Sequence, residues 1–173
     1  MRGEDIVEII SVVNLYPIAV DTRRWELFDQ VFTSDAQTDF GGGARWTDLA
    51  SLKRDFAVVH EPFEATQHVT TNHQVVGNER EANCISYVHG RFIRQVAGGN
   101  MFESAGWYDD ALVRTAAGWR IKVRNCRAVW TGGNPKVLQT MEGVTGEQQL
   151  DSLSRDAAAG KLGFLQAVAR QRS

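Results

Sequence analysis

Asp21 closes the apolar amphipathic stretch 6–20, and His68 sits in the strand-like segment 64–78. A carboxylate that orients an imidazole is the least apparatus able to abstract a proton without a metal or cofactor. In such a pair Asp21, partly buried, holds one ring nitrogen of His68 and stabilises its imidazolium, leaving the other nitrogen for a substrate proton. Each residue also has a plainer reading, Asp21 as a cap for a helix starting near Thr22 and His68 as a hydrogen-bonded sheet histidine. His73 has only the plainer one.

Two kinds of element have to bring the pair together. Ile6, Val7, Ile9, Ile10 and Val13 recur at helical spacing, which predicts an N-terminal helix burying one stripe. Pro17 lacks a backbone donor and restricts Tyr16, so a kink or pause is expected there. A second short helix carries Trp25, Phe28, Val31 and Phe32; 33–40 reads as a turn and short strand, and Gly41, Gly42 and Gly43 as a loop bordering a cavity. Leu49, Leu52, Phe56 and Val59 predict a helix within 46–60, with Thr47 or Asp48 as its cap and Pro62 after its end.

From Glu64 onward, four long β-branched and aromatic segments alternate with turn signals at Gly77/Asn78, Gly98/Gly99/Asn100 and Ala117/Gly118. Helices followed by an antiparallel meander imply an α+β domain, a curved sheet with helices over one face and a cavity between. The domain is expected to span 1–132. The remainder, 133–173, reads as a helical extension with Leu150, Leu153, Leu162, Leu165 and Val168, docking on the domain or on a neighbouring subunit.

Composition narrows the function. A chain of 173 residues with 43% apolar content suits one domain with a sizeable core. Nineteen basic residues against 21 acidic ones, a net charge of −2 and no Lys/Arg cluster argue against a nucleic-acid partner. No apolar run approaches a signal segment or membrane span, so a cytoplasmic protein without a membrane partner is expected. Cys84 and Cys126 lack CxxC spacing and read as reduced core thiols, and the histidines lack metal-ligand spacing.

The run LYPIAVDTRRWELFDQVFTSDAQTDF resembles the opening of SnoaL-like proteins of the nuclear transport factor 2-like superfamily, and AGWRIKVRNC resembles their last strand. The resemblance covers roughly 4–132 and implies a cone-shaped curved mixed or antiparallel sheet closed by N-terminal helices, a cystatin-like roll. Within that superfamily, IAVD and RNC are similar to segments of hexachlorocyclohexane dehydrochlorinases, which implies a proton-abstracting Asp21–His68 dyad with Arg124 beside it. TQHV is similar to scytalone dehydratases, implying a second histidine on the next strand, for which His89 is the candidate. The spacing of Tyr16 from Asp21 matches that of bile acid dehydratases.

This resemblance implies a cofactor-independent lyase or isomerase acting on a small hydrophobic cyclic substrate. His68 is the base, His89 or Tyr16 the proton source for departing hydroxide, and Arg124 the positive environment for a halide. His89 is equally suited to a subunit contact and Tyr16 to core packing. Arg124 and Arg127 point to opposite faces of a regular strand, Arg127 sharing one with Trp119, Ile121 and Val123, unless a β-bulge reverses the order. Trp46, Phe56, Phe63, Phe102, Trp107 and Trp119 read as core or cavity wall. The resemblance further implies a homo-oligomer, dimer or trimer, on the outer sheet face. Two other functions fit the same fold: the non-catalytic small subunit of an aromatic-ring dioxygenase, with a filled cone, and a small-ligand binding protein.

Overall fold

The opening helix, α1 (Gly3–Asp21), has Glu4 and Asp5 in its first turn, where the dipole favours negative charge. It runs through Pro17 without the expected pause. The missing donor leaves the Val13 carbonyl without its helical partner, but Val13, Tyr16, Pro17 and Val20 are all buried, and that packing offsets the loss. The structure is a computed structural model describing residues 1–141 and 145–171.

A 3₁₀ turn (Trp25–Leu27) and α2 (Phe28–Val31) lead into β1 (Phe32–Asp39) and the short β2 (Arg45–Trp46). Then α3 (Leu49–His60) is capped by the Asp48 carboxylate, which accepts from the Ser51 amide at 2.8 Å. Four long strands follow, β3 (Ala65–Gly77), β4 (Glu81–Ile93), β5 (Met101–Thr115) and β6 (Gly118–Gly133), with turns at the three predicted places. The sheet order is β2-β1-β6-β5-β4-β3. All neighbours are antiparallel except β1 and β6, so the sheet is mixed.

Interruptions of the ladder decide which side chains face inward. Asn72 adopts a left-handed φ of 56° where the β3–β4 register shifts, so His68 and His73, of opposite parity, are both at least partly covered. On β6 the pairing with β5 skips Lys122 and Val129. Trp119 and Ile121 before the first skip, and Arg124 after it, are all buried. The main core joins Ile9, Val13, Val20, Phe28, Leu52 and Ile121 between α1, α2, α3 and the sheet.

Beyond β6 the chain returns to the cone. Val137, in a 3₁₀ turn (Pro135–Leu138), packs with Phe63 and Phe102. Leu150 bridges Ala128, and the Asp151 amide donates to the Ala128 carbonyl at 2.7 Å. After α4 (Leu153–Ala158), α5 (Gly163–Gln171) packs across β3, β4 and β5. The buried Asp109 carboxylate holds its start, accepting from the amides of Gly163 at 2.6 Å and Phe164 at 3.0 Å. Part of the sheet face expected to meet a neighbouring subunit is therefore covered by this chain's own extension. Positions 142–144 and 172–173 of that extension lie outside the described residues.

Candidate active site

Asp21 is the last residue of α1, where carbonyl dipoles repel a carboxylate. Three donors from β3 counter that repulsion. The His68 amide bonds one carboxylate oxygen at 2.7 Å, and the other accepts from Thr66 Oγ1 at 2.8 Å and from His68 Nδ1 at 2.7 Å. Burial would raise the Asp21 pKa, but these bonds and the imidazole charge hold it below the ordinary value. Asp21 thus ties helix to strand rather than capping a following helix.

A carboxylate only accepts, so His68 Nδ1 carries the hydrogen, and in its neutral form the ring has its lone pair on Nε2. Gly90 pairs with His68 across the ladder and makes room for the ring: a Cβ there would sit 3.1 Å from Nε2 and 3.0 Å from Cδ2. Phe92 meets the imidazole edge-on at 5.3 Å.

His68 lines a cavity of about 480 Å³ between sheet and helices. Phe40, Trp46, Phe56, Phe63 and Phe92 make its apolar walls, with Gly41 and Gly42 of the predicted loop at its border. Tyr16 and Tyr108 also line it, and residues 145–149 bring Glu147, Gln148 and Gln149. Gln148 is fixed there by the Ser104 hydroxyl at 2.6 Å. The cone is open, not filled. Among the described residues no group of three His, Cys, Asp or Glu side chains is disposed to hold a metal.

Arg124 faces inward, as a bulge permits, but it does not line the cavity. Its guanidinium bonds both oxygens of Asp110, at 2.8 and 2.7 Å, and both side chains are wholly buried. The charge lies over the rings of Tyr108 at 4.0 Å and Tyr16 at 4.4 Å. The expected direct contact between Arg124 and a substrate is therefore replaced by a position behind two tyrosines. Burial raises the pKa of both phenols, against the pull of Arg124, so Tyr16 and Tyr108 are protonated donors at neutral pH. Arg127 does line the cavity, with its guanidinium engaged by Asp39 at 2.9 Å.

His89 is not brought to the dyad. The β3–β4 ladder pairs His68 with Gly90 and Val69 with His89, so alternation turns His89 to the other sheet face. There its Nε2 meets Glu103 at 2.9 Å, and its ring contacts Trp130. The second histidine of the cavity is instead His60, the last residue of α3. Its signal was present in the sequence, since His60 follows Phe56 by four residues and extends the Leu52–Phe56 stripe.

The cone of curved sheet closed by helices is a nuclear transport factor 2-like fold of the cystatin-like kind. Residues 1–125 match the model of the SnoaL-like domain, and the chain belongs to that family. It is 31% identical over 122 residues to the uncharacterized protein Rv2910c of Mycobacterium tuberculosis (strain ATCC 25618 / H37Rv), covering 68% of this chain and 80% of that one. The crystal structure of the Kfla4162 protein from Kribbella flavida superposes with a TM-score of 0.74 at 25% identity, covering 79% of this chain and 97% of the other. A hexachlorocyclohexane dehydrochlorinase (LinA type 2) gives a TM-score of 0.63 at 20% identity, over 75% of this chain and 86% of that enzyme, a likeness of fold.

Proposed function

We propose that the cavity is the active site of a cofactor-independent lyase or isomerase of the dehydratase kind, acting on a small hydrophobic cyclic substrate. The observation that carries this reading is the 2.7 Å contact between Asp21 and His68 Nδ1, with the same imidazole lining a cavity of about 480 Å³. His68 Nε2 takes a proton from a carbon beside an activating group, and the C–H electrons form the new double bond. The leaving group departs with its own electron pair. For hydroxide, Tyr16 or Tyr108 supplies a proton and the product is water. Asp21 stabilises the imidazolium formed, and walls of Phe40, Trp46, Phe56 and Phe63 suit an apolar ring.

The test is a screen of alicyclic and aromatic alcohols and halides for release of water or halide, using the wild type beside His68→Gln and Asp21→Asn. Turnover that falls about 10²- to 10⁴-fold in both variants supports the reading. Turnover equal in all three, or ligand binding without any turnover, moves the function to a small-ligand binding protein. We further propose a homo-oligomer, in a cytoplasmic setting, assembled on the part of the sheet that leaves Val69, Tyr87 and Trp130 exposed. Light scattering that gives a monomer mass would end that part of the proposal.

A further inference from the structure

The proton-abstracting dyad makes no use of His60, the other histidine in the cavity wall. His60 is 7% exposed, its ring stacked on Phe56 at 5.1 Å and flanked by Trp25 at 5.5 Å and Phe63 at 5.8 Å. His60 Nδ1 lies 2.8 Å from the Phe56 carbonyl. A carbonyl only accepts, so Nδ1 carries the hydrogen and the lone pair sits on Nε2. Among the described residues none donates a hydrogen bond to Nε2. Burial pushes the pKa of His60 down to about 4, so the ring stays neutral at pH 7 and does not satisfy the lone pair by taking a proton. Nε2 is not sealed among the buried polar atoms that lack a partner, so in the cavity wall it is an acceptor open to a donor brought by a ligand.

We propose that His60 Nε2 is a specificity site that accepts a hydrogen bond from the substrate, so that the substrate is a hydrophobic ring compound bearing a hydroxyl or N–H, such as a phenol or cyclic alcohol. The inference rests on reading the cavity as a substrate site. It assigns the two histidines different tasks. His68 receives a proton at the reacting carbon, and His60, reached through the ring contacts of Phe92 and Phe63, orients a donor elsewhere on the same molecule.

The probes are β-naphthol and its methyl ether, which differ in the donor, titrated calorimetrically at pH 7. The wild type is expected to prefer the naphthol about tenfold. His60→Phe keeps the ring stack and removes the acceptor, so the preference should fall to near onefold, while His60→Gln keeps an acceptor and part of the preference. Should His60→Phe not fold, ¹⁵N-histidine spectra of the wild type decide the same question: the His60 Nε2 resonance moves with naphthol and not with the ether. A wild type without preference, an unchanged preference in His60→Phe, or a resonance that ignores naphthol overturns the proposal; the last would mean that Nε2 holds only water. Turnover is not read in these titrations. Failure to find elimination would leave a naphthol preference standing, and equal affinities would leave the elimination reading standing.

Discussion

Arg124 and Asp110 meet through two parallel hydrogen bonds, at 2.8 and 2.7 Å, with no part of either side chain reaching solvent. Removing one partner strands the other charge in a medium that cannot solvate it. Arg124→Met or Asp110→Asn is expected to lower unfolding stability by about 3–5 kcal/mol, whereas the double change Arg124→Met/Asp110→Leu recovers most of it. Denaturant titration of the three variants checks this; singles as stable as the wild type would refute the buried-pair account.

Gly90 has an ordinary backbone conformation, so Gly90→Ala meets no backbone resistance, only the His68 ring at 3.0–3.1 Å and Phe92 at 3.3 Å. The ring must yield by a few tenths of an ångström, which disturbs a catalytic geometry far more than a fold. We expect a melting temperature within about 5 °C of the wild type and elimination activity at least about tenfold lower. A variant with both properties unchanged would show that His68 tolerates displacement.

His60 makes stability depend on pH. Its pKa, about 4 in the folded protein against 6.5 for the ordinary value, means that the unfolded chain binds the proton first as pH falls. The His60 contribution is full above about pH 6.5, declines toward pH 4 and levels off below, with a total loss of roughly 3 kcal/mol. The partly covered His73, with its pKa also lowered by burial, acts in the same direction, while the raised pKa of Asp109 opposes them as that carboxyl takes its proton. Comparison with His60→Phe isolates the contribution of this one ring. Parallel stability curves for the two proteins between pH 4 and 7 would contradict it.

Asp109 receives two amides from the start of α5, so its loss should free the end of the chain rather than the cone. Asp109→Ala is expected to cost about 1–2 kcal/mol. Limited proteolysis should then cut within 159–171 before any site in 1–132. Cleavage first in the cone would indicate that α5 is not held by this carboxylate.

The parts of this molecule governed by local chemistry were readable from the sequence. The Asp48 cap, the three meander turns and the Leu52–Phe56 stripe all depend on residues within a few positions of one another. What escaped depends on register or on distant contacts. His89 differs from the inward Gly90 by one residue, and only the pairing with β3 reveals its side. The inward turn of Arg124 follows from the kind of bulge the sequence allowed, but its withdrawal from the cavity needs Asp110 on another strand. Pro17 stays helical through burial that no window of sequence displays. The curved α+β sheet was legible because long alternating strands and glycine turns state it repeatedly, and the cone through the family resemblance; the cover of the outer face by α5 was not, because it turns on Asp109, 54 residues away from Gly163.

Residues 145–149 reach the cavity from beyond the stretch 1–125 that carries the family likeness. Tyr16 and His68, with its partner Asp21, come from one part of the chain, and Glu147, Gln148 and Gln149 of the lining from another. Under the proposed function, the residues assigned to proton transfer and the polar lining residues 147–149 lie in separate stretches of the chain, so changes in one leave the other's sequence untouched.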